Sequence, residues 1–226
     1  MTDNRHLIEI KEVGKDYLSK DVAVKAIRNM DFFIDDGEFV SIIGQSGSGK
    51  STLLSIIGGL NHPTRGKVFV DTLDIYNLSS EQRADFRSEY VGIIFQSFQL
   101  ISYLTVLENV KLPMAITGIK KGKKKEMAMN VLEKVGLQEK VNRLPDQLSG
   151  GEQERVAIAR AIVNNPPILL ADEPTGNLDS ETAIEVMNLL KELNDDQTII
   201  MVTHNQDMCA YSSRTIKVKD GECFLH

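Results

Sequence analysis

Gly44-Gln45-Ser46-Gly47-Ser48-Gly49-Lys50-Ser51-Thr52 stands between a β-like run, Glu38-Phe39-Val40-Ser41-Ile42-Ile43, and a helix-like run, Leu53-Leu54-Ser55-Ile56-Ile57. Strand, glycine-rich loop and helix are the setting that a G-x-x-x-x-G-K-[ST] phosphate loop requires. Its glycines let successive backbone N–H groups turn toward one anion. The new helix adds the positive end of its dipole. Lys50 brings a movable cation for the β- and γ-phosphates, and the Ser51 hydroxyl is placed for Mg²⁺. The bland alternative, a glycine-rich turn, leaves the flanking strand and helix unexplained. The loop therefore predicts a nucleotide site at the edge of a parallel sheet.

The rest of the chain is compatible with one such unit. Its 226 residues are 42% hydrophobic and 26% charged, which suits one core with a satellite subdomain. A net charge of −6 argues against a nucleic-acid surface as the main function. No apolar run approaches the ~20 residues of a membrane-spanning helix. Met1 to His6 lacks the apolar core of a signal peptide. Cys209 and Cys223 show no metal spacing and read as two reduced thiols. Any membrane business must then run through a partner.

In chain order, Leu7 to Ile10 alternates as a half-buried strand. Tyr17 follows in a polar stretch, where it is either plain core or a face on which adenine stacks. Met30 to Ile34 and Lys67 to Val70 are strands. Ser79-Ser80-Glu81-Gln82 is a capping box that opens a helix through Phe86. Val91 to Phe95 is a buried strand ending at Gln96. Helical segments then take over: Thr105 to Met114, Lys123 to Val135 with Gly136 as its stop, and Gln153 to Val163. The basic run Lys120 to Lys125 reads as a solvated loop, with the helix beginning after the lysines that would oppose its dipole; attraction to anionic lipid headgroups is the other reading. Ile168 to Ala171 and Thr198 to Val202 are buried strands, with a helix bearing Ile184, Met187 and Leu190 between them. Arg214 to Lys219 is expected as a closing edge strand. Strands alternating with helices at both ends of a helical block predict an α/β fold with an inserted helical subdomain over residues 96–165.

Four loops follow the carboxyl ends of apolar strands, after Ile43, Phe95, Ala171 and Val202. Ligands of open parallel sheets bind at that edge. Lys50, Gln96, Asp172, Glu173 and His204 are thereby expected to converge. Four aliphatics before Asp172 form a Walker B pattern, with a carboxylate for the Mg²⁺ shell and Glu173 next to it facing an attacking water. Ser149-Gly150-Gly151 has two readings. It is a second anion cradle at a helix N-terminus, or it is a structural cap in which Ser149 and Glu152 form a capping box.

Gly44 to Thr52, Gln96, Leu148-Ser149-Gly150-Gly151-Glu152, Asp172-Glu173, Asp179 and His204 together resemble the ordered motifs of ATP-binding-cassette ATPases, over essentially the whole chain. The resemblance implies a phosphate-loop NTPase core with a parallel sheet, an N-terminal antiparallel β portion (the core spanning 1–95 and 166–226) and the inserted helical subdomain. It implies two cassettes pairing head to tail, so that Ser149, Gly150, Gly151, Glu152 and Asp179 of one act on ATP held by the other. By the same carry-over Tyr17 resembles the adenine-stacking aromatic. Gln96 resembles the loop glutamine that meets Mg²⁺ and the membrane partner, Glu173 the general base, and His204 the switch histidine. Pro174-Thr175-Gly176-Asn177-Leu178-Asp179 departs from the usual Ser-Ala-Leu-Asp form. It is similar to the subgroup serving lipoprotein release, macrolide or antimicrobial-peptide efflux and cell division. Glu152 replaces the commoner glutamine, a charge that a helix N-terminus favours.

The expected protein is an ATPase using ATP and Mg²⁺, peripheral on the cytoplasmic face of the cell membrane. Its expected partners are a second copy of itself and an integral membrane permease, with no nucleic acid. The surface of Gln96, Phe98, Leu100, Ile101 and Leu104 is expected to dock the permease; the alternative is that these apolar residues are lobe core. A soluble cassette ATPase of DNA or ribosomes would carry tandem cassettes, coiled-coil insertions or a basic face, all absent here. A regulatory nucleotide binder has no need of Glu173 and His204, and a small-molecule kinase has none of Ser149-Gly150-Gly151.

Overall fold

A computed structural model describes residues 6–19 and 22–225. The terminal residues 1–5, read above for a signal sequence, lie outside the described residues. Two sheets form. The first is antiparallel, in the order β2-β1-β4-β5, from β1 (Ile8–Ser19), β2 (Val22–Ile34), β4 (Arg65–Val70) and β5 (Leu73–Asp74). The second has six strands in the order β10-β9-β3-β8-β7-β6, built from β3 (Phe39–Ile43), β6 (Val91–Ile94), β7 (Ile168–Asp172), β8 (Thr198–Thr203), β9 (Arg214–Lys219) and β10 (Glu222–Leu225). Its pairs are parallel except β9 with β10.

The apolar runs of β7 and β8, and of β3 apart from the buried Ser41, follow from burial on both faces. Successive side chains alternate between two cores. Phe39, Leu169, Ala171, Ile199 and Met201 join one cluster; Val40, Ile42, Ile168, Leu170, Ile200 and Val202 join the other. The second cluster is closed by α1 (Lys50–Ile57) and the antiparallel sheet, through Ile8, Ile10, Leu53 and Ile57. The first is closed by α5 (Gly150–Ile162) and α6 (Ser180–Leu193) and continues into α3 (Val106–Lys111) and α4 (Lys121–Lys134). The segment 96–165 thus shares its apolar core with the sheet by way of α5. The remaining helix, α2 (Ser80–Tyr90), opens with the expected capping box of Ser79 and Gln82.

Local departures from the sequence reading have simple causes. β9 is not an edge, because β10 pairs outside it. The first two strands run far beyond their apolar cores, since pairing across bulges carries the polar positions along. The stretch from Thr105 breaks into α3 and a 3₁₀ turn at Leu112–Met114, where Pro113 removes an N–H donor. α4 starts at Lys121 and takes its lysines into the first turn; Lys123 offsets the dipole penalty by pairing with Glu126 at 2.8 Å. Of the three apolar residues named on α6, Met187 and Leu190 are buried and Ile184 is exposed. No helix among the described residues is long and apolar enough to cross a membrane.

Candidate nucleotide site

The phosphate loop hangs from β3, which lies between β9 and β8. Backbone packing fixes its glycines. A Cβ on Gly44 would stand 2.1 Å from the Val218 carbonyl oxygen. Gly49 has φ +103 and touches β2, where a Cβ would meet the Ala26 oxygen at 2.3 Å. The helices α2, α3, α5 and α6 each cap their first turn with a Ser, Thr or Asp side chain; α4 and α1 have neither a side-chain cap nor an acid in the first turn, but α4 opens on lysines whereas α1 follows the glycine loop. The α1 amides are left for an anion. Lys50 is 5% exposed and its ammonium donates to the carbonyls of Gly44 (2.8 Å) and Gln45 (2.9 Å). A buried cation is thereby held at the mouth of the loop.

The Ser51 hydroxyl donates to Asp172 Oδ1 at 3.0 Å, linking the start of α1 to the end of β7. Burial raises the Asp172 carboxyl above the usual range; Ser51 opposes this, the neighbouring Glu173 adds to it, and Lys50 opposes it. Glu173 stands on left-handed backbone, φ 50, and its N–H donates to the Val202 carbonyl at 2.9 Å. Such backbone costs about 1–3 kcal/mol in a non-glycine residue and persists only where the surroundings hold it. His204, just past β8, donates from Nδ1 to Glu173 Oε2 at 2.5 Å.

A cleft of about 1240 Å³ gathers Gly44 to Ser48, Gln96, Glu173 and His204. The four strand-end loops therefore meet as the parallel-sheet argument requires. Gln206, Cys209, Lys217 and Lys219 line the same cleft and were missed. With Ile216 and Val218 buried, alternation along β9 turns Lys217 and Lys219 to the other face. Finding them needed the pairing of β9 with β3, which no motif announces.

Two expected groups lie elsewhere. Tyr17 is 42% exposed on β1, opposite Val24 of β2 and so two residues, about 7 Å, from the point where Ala26 meets Gly49. It is not plain core. Its Oη accepts from Asn61 Nδ2 at 2.5 Å, and the Lys15 ammonium lies 5.1 Å from its ring centroid.

Ser149, Gly150, Gly151, Glu152 and Asp179 form their own cluster where α5 meets α6, away from the cleft lining. A Cβ on Gly151 would stand 2.2 Å from Thr182 Cγ2, and Thr182 Oγ1 donates to Asp179 Oδ2 at 2.6 Å. Ser149 and Glu152 make the capping box. Glu152 also pairs with Lys140, which together with the Ser149 amide pulls its carboxyl below the usual range. The Asp179 side chain caps α6 through the amides of Glu181 and Thr182.

The oxygen pair Ser51–Asp172 suits a hard cation, and no cluster of three His, Cys, Asp or Glu among the described residues could hold a metal unaided. That fits Mg²⁺, which keeps several waters and takes substrate phosphates as ligands rather than a protein cage.

Sheet order, loop and cleft define a phosphate-loop nucleotide-binding protein. A family model described as ABC transporter matches residues 27–176. The ABC transporter ATP-binding protein MJ1508 of Methanocaldococcus jannaschii is 49% identical over 217 residues, covering 96% of this chain and 97% of that protein. The macrolide export ATP-binding/permease protein MacB of Chlorobium phaeobacteroides is 45% identical over 95% of this chain, which spans 33% of that longer protein. Among solved structures, the dimeric ABC transporter cassette MJ0796, from the same Methanocaldococcus, superposes with a TM-score of 0.88 at 44% identity over 95% of each chain. Its dimeric post-hydrolysis state bound to ADP and Pi gives 0.88 at 43%. The chain belongs to the ABC transporter family, as an ATPase of the group whose members include MacB.

Proposed function

We propose that this ATPase binds Mg-ATP in the cleft, closes as a head-to-tail homodimer and drives a separate membrane permease from the cytoplasmic face of the membrane. One observation carries the reading. The cluster of Ser149, Gly150, Gly151 and Asp179 does not line the cleft of its own chain, yet it presents a helix N-terminus. The two readings of that motif are compatible. Ser149 Oγ accepts only the Glu152 amide, and the Gln153 amide bonds the Ser149 carbonyl. The Gly150 and Gly151 amides of the first turn stay available to a partner's phosphate. The dimeric MJ0796 structures support the pairing, and MacB, named as both ATP-binding protein and permease, supports the membrane partner.

In this reading the chain is one ATPase unit, with 96–165 as its helical subdomain. Tyr17 stacks on adenine, Gly44 to Thr52 hold the phosphates, and Lys50 neutralises charge on the β- and γ-phosphates. Ser51, Asp172 and Gln96 would hold Mg²⁺, which when bound offsets negative charge on the phosphate oxygens. Glu173 accepts the proton of the attacking water as its oxygen bonds to the γ-phosphorus and the bond to the β-phosphate oxygen breaks. His204 fixes the Glu173 carboxylate through their shared hydrogen bond. Phe98, Leu100, Ile101 and Leu104 are half-buried beside the largely exposed Tyr103, and this surface docks the permease.

Glu173→Gln tests the dimer, because it keeps the shape and removes the base. By light scattering the variant should be monomeric alone, dimeric in ATP and monomeric in ADP. Adding Ser149→Arg should abolish the ATP-dependent dimer while leaving ATP binding. A dimer untouched by Ser149→Arg would refute the head-to-tail arrangement.

A further inference from the structure

Gly176 and Asn177 are the two positions at which this chain departs from the commoner Ser-Ala-Leu-Asp form, and no role in nucleotide binding accounts for the Asn177 side chain. Its side-chain Nδ2 donates to the Gln96 carbonyl oxygen at 2.7 Å, across 81 positions of sequence. The segment that carries it is anchored at both ends. The Gly176 amide turns back onto the Glu173 carbonyl at 3.0 Å, and Asp179 caps α6.

The loop it grips is under strain. Phe98 and Gln99 follow Gln96 with φ of 57 and 49, two consecutive non-glycine residues in left-handed backbone. Arg160 of α5 holds that pair from the other side, donating from Nη2 to the Phe98 carbonyl at 2.7 Å and from Nη1 to the Gln99 carbonyl at 2.5 Å. The glutamine and the strained pair are thus held by two side chains from two elements. Arg160 is a half-buried clamp. Asn177 and Gln96 are both solvent-exposed, and an exposed hydrogen bond adds little to global stability. The Asn177 bond is therefore placed to set position rather than to hold the fold.

We infer that Asn177 is a positioning residue that couples the Gln96 loop to Glu173. Its amide fixes the Gln96 backbone relative to the turn bearing the catalytic carboxylate. Displacing the loop from the permease side breaks that bond and withdraws Gln96 from the cleft. The inference rests on the roles proposed above for Gln96 and Glu173. A misplacement of about 1 Å in a catalytic constellation can lower a rate by roughly 100-fold, while the phosphate loop and Tyr17, which supply affinity, do not touch Asn177.

Asn177→Asp keeps the shape but sets an oxygen against the Gln96 carbonyl; Asn177→Gln keeps the donor. Asn177→Asp should lower kcat about tenfold, leave KM for ATP within about twofold and leave the melting temperature unchanged. Amide exchange over residues 96–99, measured without nucleotide, should quicken. Asn177→Gln should retain at least about a third of the wild-type turnover. Wild-type turnover, unchanged exchange, or a fall in melting temperature matching the loss of activity would each overturn the inference. Glu173→Gln assayed alongside keeps the two readings apart. If that variant hydrolyses ATP normally, the catalytic assignment fails whatever Asn177 does. If it is inactive while Asn177→Asp is normal, only the positioning role fails.

Discussion

Glu154 lies on α5 five residues after Ser149, is 1% exposed and has an Oε1 that no hydrogen bond satisfies. Burial pushes its carboxyl up to about 8, and the nearby Arg160 opposes the shift only in part. In the unfolded chain the same group ionises at the ordinary 4.5. Between these values the folded state holds a proton that the unfolded state has released. Stability therefore falls as pH rises, by at most about 1.4 kcal/mol per pH unit. From pH 5 to pH 8 the loss from this one group amounts to about 3 kcal/mol. Glu154→Gln preserves the shape of the protonated acid and cannot ionise. Urea unfolding of both proteins without nucleotide, at intervals from pH 5 to pH 8.5, isolates the effect, since all other groups titrate alike in the pair. The variant should gain on the wild type steadily with pH, reaching about 3 kcal/mol, or roughly 6–12 °C in melting temperature, at pH 8. Parallel stability curves would show that Glu154 is ionised inside the fold and would refute the reasoning.

Lys50→Ala should abolish ATP hydrolysis and weaken ATP binding, because the cation at the loop mouth is lost; turnover and nucleotide titration of the purified variant check it, and wild-type turnover would refute the assignment. Tyr17→Ala should weaken ATP binding about tenfold, in line with a stacking contribution of ~1–3 kcal/mol. Inorganic triphosphate, which has no base to stack, should bind both proteins equally, and an equal loss for both ligands would place Tyr17 outside the base site.

The parts legible in the sequence were those whose chemistry is contiguous. The phosphate loop, the Asp172-Glu173 strand end and the capping boxes at Ser79 and Ser149 each depend on residues within a few positions, so residue type and spacing carry the geometry. Period-two alternation with both faces buried likewise made β3, β7 and β8 readable as apolar runs. What escaped depends on pairing between distant segments. β10 displaced β9 from the edge, and through the β3–β9 pairing Lys217 and Lys219 entered the cleft. Tyr17 reads in the sequence as core or as a stacking face; its exposure removes the first reading, and Asn61 and Lys15 hold it, one at the hydroxyl and one at the ring. Asn109 belongs with these. Fully buried on α3, its side chain bonds the backbone of Ile101, Leu104 and Thr105, and so fixes the path of the segment leading from the Gln96 loop into the helices. Such a residue looks like any polar position of a short helix in the sequence. In the fold it satisfies backbone groups that burial would otherwise strand, each at about 1–3 kcal/mol. The groups proposed for catalysis were visible because phosphate chemistry restricts residue type at each position. The residues that aim them were not, because any donor of the right reach would serve, and only the folded chain shows which one arrives.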